Sequence, residues 1–114
     1  MIDVKEMLSI AYKAIDDKFG QNTNILDISK ISVMADYFVI TTAGNRVQLK
    51  AIADELMEKM QKNGVPLLHS EGYQSSDWVL LNFNYLIIHI FTKDAREFYS
   101  LERVWNDATV VENI

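Results

Sequence analysis

The sequence predicts one compact α/β domain, with helices packed against a mixed sheet of about five strands. Three observations predict it. Segments with apolar residues at three-and-four spacing alternate with short β-branched and aromatic runs. The whole pattern fits within 114 residues, about the length of one domain. Hydrophobic residues at 49% and charged residues at 24% match an ordinary soluble globular chain and stand against intrinsic disorder. Residues 1–114 are taken as that single domain.

The first helix starts after Asp3, a suitable N-cap with Glu6 three residues on, in a capping-box arrangement. Val4, Met7, Leu8, Ala11 and Ile15 share one of its faces, and Gly20 supplies the stop. Asn22 to Asn24 then form a polar turn. Residues 25–31 are strand-like, and Tyr37 to Thr42 is a stronger strand rich in β-branched and aromatic residues. Gly44-Asn45 breaks it. Asn45 caps a long helix over about 46–62, with Gln48 three residues on. Leu49, Ile52, Ala53, Leu56, Met57 and Met60 form that helix's apolar stripe. Asn63-Gly64 ends it, and Pro66 bars any continuation.

Three extended segments follow at about 66–70, 78–83 and 85–91. Asn82-Phe83-Asn84 between the last two fits a tight hairpin, because Asn tolerates positive φ. In the last segment Leu86, Ile88 and Ile90 share a purely apolar face, while Tyr85, Ile87, His89 and Phe91 share a mixed one. The sheet is therefore expected to be fully covered by helices on one side and less completely on the other. Thr92 is a candidate cap for a helix through Tyr99, and Ser100 for a further turn holding Leu101 to Trp105. The order is helix, two strands, helix, three strands, helix, with no internal repeat, low-complexity tract or linker.

Eleven Lys and Arg against sixteen Asp and Glu give a net charge of -5. That is a poor balance for gripping phosphate backbones, so direct nucleic-acid binding is not expected. By segment the charge is -1 over 1–30, 0 over 31–63, -2 over 64–91 and -2 over 92–114, and no Lys or Arg lies between Lys62 and Lys93. A buried central sheet that excludes charge accounts for this distribution. So does an acidic, aromatic-rich surface made for a basic partner, and the two are compatible. The opening Met1-Ile2-Asp3-Val4-Lys5-Glu6 has neither the basic region and long apolar run of a signal peptide nor the Arg-rich character of a transit peptide. The longest apolar stretches, Val79-Leu80-Leu81 and Leu86-Ile87-Ile88, are strand-sized and too short to span a bilayer. A cytoplasmic location without a membrane partner is expected.

Candidate chemistry is sparse. The absence of Cys excludes disulfides, thiolate metal sites, iron–sulfur clusters and a cysteine nucleophile. His69 and His89 lie on different predicted strands with only Glu71 nearby, and HExxH spacing is absent, so no metal or cofactor is assigned. Ser70, Ser75, Ser76 and Ser100 sit in or beside turns, and none lies in a G-x-S-x-G elbow. Gly44 is not followed by the Gly-Lys-Ser/Thr of a phosphate cradle. The strand-to-helix junction from Thr41 to Arg46 is a place where an anion can bind in principle, but it reads better as a connection.

Two clusters carry more. Glu71-Gly72-Tyr73 with Asp77-Trp78 puts polar tips on large apolar bodies, the chemistry of interface hot spots. Trp78 equally begins a strand, where it would pack inside. The second cluster is Arg96, Tyr99, Leu101, Glu102 and Trp105. On a helix, Arg96, Tyr99 and Arg103 would lie near one face and Leu101 and Trp105 near another. Arg96 and Glu102 are also placed to pair with each other or with Glu71 as scaffold contacts.

A larger pattern joins these pieces. Ala35-Asp36-Tyr37-Phe38-Val39-Ile40, the helix opening Asn45-Arg46-Val47-Gln48, Glu71-Gly72, Asp77-Trp78-Val79-Leu80-Leu81 and His89-Ile90-Phe91 occur in this order. They are followed by an unbroken run from Arg96 through Glu97-Phe98-Tyr99-Ser100-Leu101-Glu102-Arg103-Val104-Trp105 to Asn106-Asp107-Ala108. The ordered set resembles the ribosomal silencing factor (RsfS, or Iojap) family over about residues 5–110.

The resemblance implies an α/β fold related to nucleotidyltransferases but without that activity. It implies binding to the large ribosomal subunit through a basic ribosomal protein, the fourteenth of the large-subunit series, at the face where the subunits meet. Small-subunit joining would be blocked there, and translation would fall when nutrients run short. It also implies homodimers in the free state and no cofactor. The family usually carries an Asp and a Gly in the hairpin where this chain has Asn82-Phe83-Asn84-Tyr85, so no charged role is assigned to that turn. A basic partner suits an acidic surface. The expected partner-facing residues are Glu71, Asp77, Trp78, Tyr99, Leu101, Glu102 and Trp105, with His89 and Arg96 as structural supports. The alternative is a nucleotidyltransferase-like enzyme or nucleotide-binding protein. Against it, no Gly-Ser turn precedes a paired-Asp strand, and Asp36 stands alone at its strand start.

Overall fold

Helix α1 (Val4–Asp17) starts where its cap is expected: Asp3 Oδ1 accepts the Glu6 backbone N–H at 2.9 Å. The computed structural model describes residues 2–33, 35–74 and 77–111. Helix α1 buries Met7, Leu8, Ala11, Ala14 and Ile15, the face its periodicity defines. Its end differs from expectation in one detail. Phe19, not Gly20, takes the left-handed conformation (φ 64), and the N–H of Gly20 bonds to Ile15 O at 2.9 Å.

Strand β1 (Gln21–Asp27) begins four residues earlier than expected, and Asn22 to Asn24, expected as a turn, lie inside it. The polar side chains find partners across the fold. Thr23 Oγ1 meets Thr41 Oγ1 at 2.8 Å, and a register shift between Gln21 and Asn24 accommodates Asn22 at φ 52. Strand β2 (Tyr37–Ala43) leads into α2 (Arg46–Lys62) through Asn45, whose Oδ1 accepts from Gln48 N at 2.8 Å. Gln48 in turn donates from Nε2 to the carbonyls of Lys18 and Phe19, at 3.0 and 2.9 Å, so it ties the start of α2 to the end of α1.

The chain continues through β3 (His69–Glu71), β4 (Trp78–Asn82), β5 (Leu86–Thr92), α3 (Lys93–Tyr99), α4 (Leu101–Val104) and β6 (Thr109–Val111). Asn84 takes φ 80 in the β4–β5 hairpin, as its residue type suggests. Thr92 and Ser100 flank their helices without forming side-chain caps. Ser100 instead turns the chain at φ 46, with its Oγ donating to Glu97 O at 2.7 Å.

The sheet has six strands rather than five, in the order β3-β4-β5-β2-β1-β6. The sixth, β6, pairs antiparallel with β1 (Ile25 opposite Val111) and is too short to announce itself by alternation. Only β2 and β5 pair in parallel among the described strands.

Helices α1 and α2 cover one face. There Leu49, Ile52, Ala53, Leu56 and Met60 meet Val39, Val79, Leu81, Leu86, Ile88 and Ile90 in a closed core. The other face carries Leu26, Phe38, Ile40, Ile87 and Phe91 and receives only the seven residues of α3 and the four of α4. Trp78, Leu80, Leu101 and Trp105 are consequently only partly buried against it. The mixed face of β5 is the thinly roofed one, as the alternation of that strand predicts.

Candidate functional site

The thinly roofed face is organised by a cross-strand pairing. Trp78 lies opposite Phe91 and Leu80 opposite His89, which puts indole, imidazole and phenyl rings side by side. Trp78 Nε1 donates to His89 Nδ1 at 3.1 Å. Because Nδ1 accepts, the neutral imidazole carries its proton on Nε2. That atom is buried and has no hydrogen-bond partner among the described residues. Burial pushes the His89 pKa from 6.5 down to about 4, so the ring is neutral near pH 7.

From this pair the rings continue in both directions. Tyr99 lies 4.7 Å from Trp78, and Phe98 stands edge-on to Tyr99 at 5.1 Å. On the other side Phe38 meets His89 edge-on at 4.7 Å, and Trp105 meets Phe38 at 5.0 Å. Separations of this size are those of favourable aromatic pairs. Trp78, Tyr99 and Trp105, taken from two separate stretches of sequence, thus belong to one ring series with His89. Its outer edge reaches solvent: Phe98 is 81% exposed and Tyr99 47%. Leu101 is half-buried against the same apolar cluster.

The acidic residues expected to face a partner divide into two groups. Glu71 lies on β3 opposite Leu80, and with Gly72, Trp78 and Leu80 it lines a depression of about 370 Å³. It is exposed and pairs with His69 at 3.0 Å. Asp77 and Glu102, both partly exposed, also pair within the fold. Arg46 Nε donates to Asp77 at 2.6 Å, which holds the carboxyl below its usual range and joins the start of β4 to the start of α2.

Glu102 accepts two bonds from Arg96, at 3.1 and 2.9 Å, and a third from Asn24 Nδ2. The Arg96 guanidinium holds its carboxyl low. Arg96 also donates to Thr42 Oγ1 at 2.8 Å and to Asn22 O, so it fastens α3 and α4 to β1 and β2. Glu102, one-third exposed, is part of the same contact.

Three contributors escaped the sequence reading. Phe98 extends the exposed aromatic edge, Leu80 shares a wall with Trp78, and Phe38 links His89 to Trp105. The alternation of β4 would have identified Leu80, which shares the Trp78 face. No group of three or more His, Asp or Glu able to hold a metal ion occurs among the described residues. Ser100 Oγ is spent on the Glu97 carbonyl, and Ser75 and Ser76 lie outside the described residues. No helix among the described residues is long and apolar enough to cross a membrane.

This geometry meets a consistent set of likenesses. A family model described as ribosomal silencing factor during starvation matches residues 2–114. The ribosomal silencing factor RsfS of Halalkalibacterium halodurans is 38% identical over 108 residues, covering 95% of this chain and 92% of that protein. The Mus musculus protein named mitochondrial assembly of ribosomal large subunit protein 1 is 33% identical over 91 residues, covering 72% of this chain and 40% of that one. A crystal structure of a Chromobacterium violaceum protein superposes with a TM-score of 0.90 at 28% identity, covering 92% of this chain and 88% of that chain. With the family model matching residues 2–114 and a ribosomal silencing factor 38% identical over 95% of this chain, the chain belongs to the ribosomal silencing factor (RsfS/Iojap) family.

Proposed function

We propose that this chain represses translation without catalysing a reaction. It docks on the large ribosomal subunit through a basic ribosomal protein, the fourteenth of that subunit's series. There it occupies the intersubunit face and blocks joining of the small subunit when nutrients are limiting. The observation that carries this reading is the half-open aromatic surface of Trp78 and Tyr99 with the exposed carboxylate of Glu71 beside it. A tryptophan partly shielded by neighbouring rings makes a desolvated anchor, and a rim carboxylate steers a basic partner. Leu101 and Trp105 extend the apolar area, and Asp77 and Glu102, partly exposed and held by Arg46 and Arg96, add carboxylates to it. The mouse relative's name speaks of assembly of the large ribosomal subunit, which supports that subunit as the target. The reading includes a cytoplasmic location, no direct grip on nucleic acid and a homodimer when free.

Sedimentation of purified subunits through sucrose tests it. Added protein is expected to reduce joined ribosomes and to travel with the large subunit. Undiminished joining at saturating protein would overturn the reading.

A further inference from the structure

At the carboxyl ends of β2 and β5 the chain departs in two directions. These parallel neighbours lead into different layers: β2 runs into α2 on the thickly covered face, and β5 runs into α3 on the other. Adjacent parallel strands whose following helices diverge in this way leave a crevice beyond their ends, where open α/β sheets hold ligands. Here that crevice is a cleft of about 540 Å³. The size lies within the range of small-molecule sites.

Its walls differ in charge from the rest of the molecule. The whole chain carries -5, yet the cleft is lined by three cations, Lys93, Arg96 and Arg103, against two carboxylates, Glu97 and Glu102. Glu102 is already matched by the two bonds from Arg96. Arg96 is held in place by Thr42 and Asn22 as well, so one cation stands fixed at the floor. Lys93 and Arg103 form no ion pair among the described residues and flank it as exposed cations. The remaining wall is amide and hydroxyl: Gln21, Asn22, Thr42 and Ser100. No aromatic side chain lines the cleft, so a nucleobase would find nothing to stack on. Two of its residues, Asn22 at φ 52 and Ser100 at φ 46, hold left-handed backbone, a conformation that concentrates at ligand clamps.

We propose that this crevice binds a small phosphate monoester bearing free hydroxyls, of polyol-phosphate or sugar-phosphate class. Lys93 and Arg103 take the phosphate, and the Gln21 and Asn22 amides take the hydroxyls. Arg96 and Glu102 border both places, but Lys93 and Arg103, which take the phosphate, belong to the cleft alone, so the proposal stands or falls independently of ribosome docking.

The test titrates the full chain with glycerol phosphate while amide NMR shifts are recorded, with glycerol and matched sodium chloride as controls. Saturable shifts at residues 21–22, 93–96 and 100–103 are expected with glycerol phosphate alone. A Lys93→Ala/Arg103→Ala double variant should weaken half-saturation by at least about tenfold at unchanged melting temperature. Should that variant unfold, Lys93→Gln/Arg103→Gln keeps the side-chain bulk and makes the same comparison. Unsaturable shifts, equal shifts with chloride, or variant binding equal to the parent would each overturn the proposal. Shifts at the same residues from a single-stranded RNA without a terminal phosphate, and none from glycerol phosphate, would assign the cleft to a polymer backbone and overturn it too.

Discussion

Trp78 and His89 form one hydrogen-bonded unit across β4 and β5, with the indole Nε1 donating to imidazole Nδ1 at 3.1 Å. The bond requires a neutral imidazole, because a protonated Nδ1 would itself be a donor facing a donor. The exposed aromatic surface is thus built on a buried titratable base.

Acid should therefore weaken the protein through His89. In the unfolded chain the imidazole binds a proton near its ordinary 6.5, whereas folded it does so only near 4. Between those values the unfolded chain binds the extra proton, so stability rises with pH. His89's contribution is fully present above about 6.5 and is lost on descent to about 4, a total of about 3 kcal/mol. Urea unfolding at pH 7 and pH 5 measures it. The parent should lose about 2 kcal/mol more over this step than His89→Phe does. Parallel losses in the two proteins would show that His89 is not the responsible group.

Trp78→Ala should weaken binding to the large subunit by about 2 kcal/mol or more, as loss of a shielded anchor does. Trp78 also touches Phe91 and His89, so the same change costs stability. Phe98→Ala separates the two effects, because Phe98 is 81% exposed and, among the described residues, meets the series through Tyr99. Its melting temperature should stay within a degree or two while affinity falls measurably. Intact affinity in a Trp78→Ala protein that melts early would return Trp78 to the core.

The main helices and the order of the first five strands were legible because their signals are local. Asp3 and Asn45 cap where short polar residues precede apolar periodicity, and β5 shows its two faces by simple alternation. What was not legible depends on distant partners. Thr23 and Asn24 look like turn residues until Thr41 and Glu102 are brought beside them, and β6 exists only as an edge on β1. The site shows the same division. Trp78, Tyr99 and Trp105 were identifiable as amphipathic aromatics, but their union through Phe38, Phe91 and His89 is set by sheet order. Charge is only partly legible: the Arg96–Glu102 pair follows from residues six apart, whereas the Arg46–Asp77 pair joins residues 31 apart that the fold alone brings together.

Arg96→Ala should destabilise by about 2–4 kcal/mol, because it strips Glu102 of its cation in a partly buried site. Arg96→Lys should recover less than half of that loss. An ammonium cannot reproduce the fork that reaches Glu102, Thr42 and Asn22 together. Chemical denaturation of the single variants and of Arg96→Ala/Glu102→Ala gives the coupling. A double variant as unstable as the sum of the singles would deny any pairing between them.

Gly20→Ala tests the junction of α1, β1 and α2. A Cβ at Gly20 would lie 2.3 Å from Ile15 Cγ2 and 2.8 Å from Thr41 Oγ1. Both neighbours are fully buried, and Ile15 is β-branched, so neither can swing away. The segment cannot move outward either, since Gln48 holds the Lys18 and Phe19 carbonyls from the far side. The methyl is expected to cost about 1–3 kcal/mol by overpacking. Gly64→Ala is the contrasting change: nothing lies within 4 Å, and its cost of about 1–2 kcal/mol comes from positive φ alone. An Ile15→Ala background should relieve part of the first penalty, leaving the Thr41 approach, and should leave the second intact, because the Gly20 methyl competes with the Ile15 side chain and a Gly64 methyl does not. Equal penalties at Gly20 in both backgrounds would show that the Ile15 side chain is not what demands the glycine.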